Sequence, residues 1–103
     1  MYKTLKEVTQ TAEELNMTIG AFNTHNLEML PEMIRAAKEM GSPIIIQTSI
    51  DTAKYIGYDV MVAVVKEIAN TELVDVALHL DHARDFNEIK AAIDAGYSSV
   101  MYD

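Results

Sequence analysis

Three residues that can ligate metal or move protons stand close together in this chain: His79, Asp81 and His82. They close the stretch Val76-Ala77-Leu78-His79-Leu80-Asp81-His82, which begins as an apolar run. A run of that kind, bounded by polar residues, reads as a strand buried on both faces. In parallel α/β architectures the C-terminal ends of strands are where chemistry sits. Side chains alternate across a strand, so His79 and Asp81 share one side, and Leu80 and His82 the other. The two histidines therefore do not chelate one metal while the strand stays regular. At the strand end the backbone can turn, and Asp81 and His82 can then both reach the rim. A neutral imidazole suits zinc, and a nearby carboxylate suits general acid–base work. A catalytic zinc takes about three protein ligands, and this cluster offers one or two. The competing reading is a histidine pair hydrogen-bonded inside the fold, with Asp81 capping the next helix.

The elements that must position these residues alternate along the chain. Thr4 to about Asn16 reads as a helix, with Leu5, Val8, Ala12 and Leu15 at helical spacing and Thr4 and Glu7 as a capping box. Thr18–Phe22 is a strand, followed by the polar loop Asn23–Asn26. Leu27–Met40 is the next helix, capped by Asn26, with Leu30, Ile34, Ala37 and Met40 on its buried side. Pro31 predicts an irregular opening turn or a slight kink there. Ile44–Thr48 is a second strand, rich in β-branched residues. Ser49–Thr52 reads as a loop, Ala53–Gly57 as a short helical turn, and Tyr58–Asn70 as a helix that buries Met61, Val64, Val65 and Ile68. After the strand of the histidine cluster, Asp85–Ala95 is a helix with Asp85 and Glu88 as a capping box, Phe86, Ile89, Ala92 and Ile93 as its apolar stripe, and Gly96 as its C-cap. Ser98–Tyr102 is the fourth strand. Strands alternating with helices of 10–15 residues imply βαβ crossovers and a parallel sheet. The expected fold is α/β: residues 1–103 form a single unit with four parallel strands, about half of a closed (β/α)8 barrel.

A polar group follows each strand: Asn23 the first, Ser49 the second, Asp81 and His82 the third, Asp103 the fourth. All would converge on one rim. Asn23 could bond a substrate hydroxyl or serve as a turn residue, and Ser49 could donate to a phosphate or cap a helix. His25 reads as a surface loop histidine. Met29, Met33, Met40 and Met61 read as core filling.

Composition narrows the function classes. The chain has 103 residues, half of them hydrophobic, enough for one core. It carries 8 Lys plus Arg against 16 Asp plus Glu, a formal net charge of -8. Nucleic acid and anionic membrane surfaces need basic patches, so neither is an expected partner. There is no cysteine, which excludes disulfides and thiolate metal sites and fits a cytoplasmic location. Met1–Leu15 lacks the apolar core of a signal peptide, and no apolar run approaches the ~20 residues of a membrane span.

Five ordered stretches carry a family resemblance: Gly20-Ala21-Phe22-Asn23, Ser42–Ser49, Lys54-Tyr55-Ile56-Gly57, Ala77–His82 and Ala95–Asp103. Together they resemble the N-terminal part of the class II, zinc-dependent ketose-bisphosphate aldolases, which act on fructose or tagatose bisphosphates. The resemblance implies a (β/α)8 barrel that reversibly cleaves a ketose 1,6-bisphosphate to dihydroxyacetone phosphate and an aldehyde. It implies His82 as a zinc ligand and Asp81 as the acid/base acting on the C4 hydroxyl. Asn23 and Ser49 would contact substrate, Ser49 near a phosphate, and His79 would support the site. Zinc would act as a Lewis acid on the ketone oxygen. Two departures stand out. Ile50-Asp51-Thr52 replaces the small or glycine-containing turn that usually follows Ser49. The family's two further zinc histidines and most phosphate loops belong to strands that residues 1–103 do not supply, and His25 is on the wrong strand to match either histidine. The chain alone is thus expected to be inactive, with its C-terminal half or a homo-oligomer as partner. The alternative is a non-catalytic half-barrel module that self-associates or pairs with a C-terminal half.

Overall fold

The computed structural model describes residues 1–103 as one sheet of four parallel strands paired in sequence order, with the helices between Leu30 and Ala95 sharing one core on one face. The elements are α1 (Leu5–Glu14), β1 (Ala21–Asn23), α2 (Leu30–Glu39), β2 (Ile44–Thr48), α3 (Ile50–Ile56), α4 (Tyr58–Glu72), β3 (Val76–Ala83), α5 (Phe86–Ala95) and β4 (Ser99–Tyr102). The α/β half-barrel expectation therefore holds.

Several boundaries follow from capping chemistry. The Thr4 hydroxyl accepts from the Glu7 N–H, and the Glu7 carboxylate accepts from the Thr4 N–H, the reciprocal pair expected at the start of α1. α2 begins at Leu30, three residues later than its apolar spacing suggests. Asn26 Oδ1 accepts from the Met29 N–H and holds an irregular turn ahead of the helix. Pro31 then falls in the first turn, where its missing N–H breaks no helical bond. The expected capping box at α5 is only half formed. Asp85 accepts from the Asn87 N–H, while Glu88 reaches away to Tyr58 and Lys54.

The strands arrive as expected except β1, which lies later than Thr18–Phe22 and contains Asn23. Alternation decides what each strand buries. Ile44, Ile46, Val76, Leu78 and Leu80 face the helices and join Leu30, Ile34, Met61, Val65 and Ile89 in one core. Each such side chain contributes about 1.5–3 kcal/mol on burial. The methionine expectation holds for Met61 alone among the fully buried positions: Met33 is half-buried, Met29 is exposed, and Met40 is 78% exposed. The expected stripe of α5 is also split. Ile89 and Ala92 are buried, whereas Phe86 and Ile93 are more than half exposed, as no element packs on that side of the helix. No helix is long and apolar enough to cross a membrane.

Gly96 closes α5 with φ of 111°, and a Cβ placed there would stand 3.2 Å from Cγ1 of Val62 on α4. A left-handed conformation costs a non-glycine residue about 1–2 kcal/mol. Gly96→Ala is expected to destabilise the chain by at least that amount, read as a lowered urea midpoint with an unchanged slope.

Candidate active site

Parallel pairing puts the C-terminal ends of all four strands on one edge. On the face away from α2–α5, one residue from each strand lies in a single row. The register pairs Asn23 with Gln47, Gln47 with His79, and His79 with Ser99. Hydrogen bonds stitch the row together: Gln47 Nε2 donates to Asn23 Oδ1 at 2.8 Å, and His79 Nδ1 lies 2.7 Å from Ser99 Oγ. Asp81, two residues beyond His79, sits over this row on the same face. Gln47 Nε2 donates to Asp81 Oδ2 at 3.4 Å, and His79 Nε2 lies 3.6 Å from Asp81 Oδ1. Each carboxylate oxygen thus faces a nitrogen from a different strand.

The strand is not regular past Asp81. The β3–β4 register shifts between Leu80 and Ala83, and His82 has φ of 50°. A bulge of this kind re-aims a side chain. It brings His82 Nε2 to 3.7 Å from Asp81 Oδ2 and His82 Nδ1 to 3.0 Å from Asp103 Oδ2. The backbone turn anticipated at the strand end is therefore present, and Asp81 and His82 meet at the rim. Asp81 does not cap the following helix, because Asp85 does.

The electrostatics divide the two histidines. Burial pushes the His79 imidazole below its usual range, although Asp81 opposes this. The hydrogen bond that His82 donates to Asp103, with Asp81 close by, pushes His82 upward, and the same bond holds Asp103 below the usual carboxylate range. The sign for His79 is definite. Its folded form binds a proton less readily than its unfolded form, so its contribution is full above about pH 6.5 and declines as pH falls through the lowered pKa. The stability difference between the wild type and His79→Gln is expected to narrow on acidification below about pH 6.5, as measured by urea midpoints across a pH series.

Asn23 and Ser49 are both exposed. Asn23 takes part in the row through Gln47. Ser49 follows β2 directly and caps α3, accepting from the Thr52 N–H at 3.2 Å. The expected loop Ser49–Thr52 is thus a helix start, whose first residue stays on the rim. His25 is exposed in the loop after β1 and is not part of the row. Gln47 and Ser99 were not anticipated as site residues. Gln47 sits in a β-branched run, and only its alternation with Ile46 hints that it faces away from the core.

Metal fit can be judged from the donors. No three His, Asp or Glu side chains are grouped so as to hold an ion. One imidazole does have the arrangement of a ligand. Metal-ligating histidines usually donate their second ring N–H to a carboxylate, and His82 Nδ1 meets Asp103 in that way, leaving Nε2 available on a ring that is 62% exposed. The residues therefore fit a zinc site as one contributor of several.

A second network lies behind the rim. Glu88 on α5 accepts from the Tyr58 hydroxyl at 2.7 Å and from Lys54 on α3 at 3.0 Å. The buried Thr48 hydroxyl pairs with Tyr97 at 2.9 Å, and the Tyr97 ring packs edge-on against Tyr58. The helices that carry Ser49 and follow His82 are tied together by these contacts.

Known proteins match along the whole length. The sequence is 41% identical over 98 residues to a fructose-bisphosphate aldolase of Helicobacter pylori, covering 94% of this chain and 32% of that protein. It is 40% identical over 102 residues to a fructose-bisphosphate aldolase of Geobacillus stearothermophilus, covering 96% and 36%. The fold superposes on the crystal structure of the YdjI aldolase from Escherichia coli K12 with a TM-score of 0.84 and 29% identity, over all of this chain and 40% of that one. The chain thus spans about a third of the length of the curated relatives it matches. The sequence model described as fructose-bisphosphate aldolase class-II matches residues 3–103, and the chain belongs to that family.

Proposed function

We propose that residues 1–103 supply the acid–base group and one metal-holding imidazole of a zinc-dependent aldolase acting on a ketose 1,6-bisphosphate, fructose or tagatose, within a longer barrel. The observation that carries this reading is the Asp81 carboxylate, faced on each oxygen by a nitrogen of Gln47 or His79 and flanked by His82. Zinc, when bound, supplies a Lewis acid for the ketone oxygen. His82 would hold it through Nε2. Asp81 takes the proton of the C4 hydroxyl as the C3–C4 bond breaks. The aldehyde leaves, and the bonding pair stays with the dihydroxyacetone phosphate portion. Asp81 returns the proton in the condensation direction. Asn23, held by Gln47, donates its amide N–H toward a substrate hydroxyl, and Ser49 at the rim meets a phosphate oxygen. His79 keeps Asp81 in place.

The partner in this reading is the C-terminal half of the same barrel. It would cover the open β1 and β4 edges and the exposed Phe22, Phe86 and Tyr102. Those same exposed residues favour the second reading, a non-catalytic half barrel that self-associates. The acidic charge and the absence of cysteine support a small-molecule substrate, no nucleic-acid or membrane partner, and a cytoplasmic setting.

Cleavage of fructose 1,6-bisphosphate and tagatose 1,6-bisphosphate is measured with the chain alone and with a barrel completed by a C-terminal half, each with and without chelator. Chelator-sensitive cleavage only in the completed barrel is the expected result. Cleavage by neither, with a stable dimer of the chain, would establish the second reading instead.

A further inference from the structure

The row beneath Asp81 contains one residue that the aldol reading leaves without a task. Ser99 begins β4, directly opposite His79 in the register, and its Oγ lies 2.7 Å from His79 Nδ1. We propose that Ser99 is a positioning residue: its hydroxyl donates to Nδ1 and anchors the His79 ring with Nε2–H facing the Asp81 carboxylate.

A serine hydroxyl can donate or accept, so its contact with His79 is compatible with either neutral tautomer. The other end of the ring decides. His79 Nε2 stands 3.6 Å from Asp81 Oδ1, and an ionised carboxylate only accepts. With the proton on Nδ1, the Nε2 lone pair would face a carboxylate oxygen, which is repulsive. With the proton on Nε2, an N–H dipole points at negative charge, and Nδ1 must then accept from Ser99. Only this assignment leaves neither contact repulsive. The ring is 15% exposed, and its burial disfavours the doubly protonated form that would make the choice irrelevant. Ser98 cannot stand in, because its Oγ accepts from the Leu78 N–H and lies against the Leu78 carbonyl.

The consequence reaches Asp81 through the ring. Gln47 serves Oδ2 and His79 serves Oδ1, so the carboxylate plane is held from two strands. Without the Ser99 hydroxyl, the ring loses its anchor at Nδ1 and can turn its Nε2–H away from Asp81. The importance of this to turnover rests on the aldolase reading, but the tautomer itself does not.

The test is two-bond proton–nitrogen correlation NMR of the 103-residue chain labelled with 15N-histidine, at a pH where His79 is neutral. The His79 signals are assigned by their loss in His79→Gln. The expected wild-type pattern is Nε2–H. Ser99→Ala should keep Nε2–H, which faces Asp81, but move the Nδ1 signal downfield to that of an acceptor nitrogen without a donor, and Ser99→Thr should return it. If Ser99→Ala does not fold, Ser99→Cys, whose thiol is a weak donor, is read in its place. An Nδ1–H pattern in the wild type, or an unmoved Nδ1 signal when the hydroxyl is removed, would overturn the proposal. Failure of the completed barrel to cleave ketose bisphosphates, with the Nε2–H pattern intact, would sink the aldolase reading and leave this one standing.

Discussion

Asp81→Asn is expected to leave the fold and metal affinity of a completed barrel intact and to lower its turnover by about 10²–10⁴-fold, the range that general acid–base groups supply. The amide keeps the shape of the carboxylate. Its oxygen can still accept from Gln47 Nε2, which lies 3.4 Å from Asp81 Oδ2. What it cannot do is take a proton from a hydroxyl. His82→Ala provides the contrast: it removes a ring whose Nδ1 is already engaged by Asp103, and so should abolish zinc binding along with turnover. The pair separates proton transfer from metal retention, with steady-state cleavage and bound zinc both measured on each variant. Near-normal turnover in Asp81→Asn would end the acid/base assignment.

Leu78→Ala carries the largest expected effect on stability. Leu78 is fully buried on the helix face of β3, in the same core as Leu30, Met61 and Ile89. Truncating such a leucine costs about 2–5 kcal/mol, as the cavity adds to the lost transfer energy. A domain of this size has only about 5–15 kcal/mol to lose. A fall in Tm of more than about 10 °C follows for a domain near 100 residues. Leu73, 78% exposed at the end of α4, is the matched control. Leu73→Ala should stay within about 0.5 kcal/mol of the wild type. A loss at position 78 no greater than at position 73 would show that the helix face of β3 is not the core.

The sequence made some elements legible and hid others, for physical reasons. β2 and β3 were readable because they are central strands with strong β-branched or apolar runs, and α5 because Asp85 and Gly96 mark its two ends. β1 was misplaced because a three-residue edge strand owes its existence to pairing with β2, not to its own composition. Phe86, Ile93, Leu15 and Met40 lie on apolar stripes yet are exposed. Periodicity says which face is apolar, not whether a neighbour covers it. At the site, Asp81 and His82 announced themselves by residue type. Gln47 and Ser99 did not, as an amide and a hydroxyl acquire meaning only through a register that sets them beside His79. A turn at this strand end was legible, but not its left-handed backbone at His82, because histidine, though enriched at positive φ, signals it far more weakly than glycine.

The start of the chain has a kinetic consequence. Tyr2 bridges to Val76, the Met1 ammonium donates to the Val74 carbonyl, and Tyr2 Oη donates to the Gly96 carbonyl at 2.7 Å. Every strand pair in the sheet joins neighbours in sequence, so most of the fold can form as it is made. The Met1 contact, by contrast, spans 73 residues. At about 5–20 residues per second, residues 1–2 leave a ribosome on the order of 4–15 s before Val74 and Val76 do. α1 can hold itself through its capping box during that time, but its docking waits for β3. Residues 1–14 therefore settle only after β3 has formed.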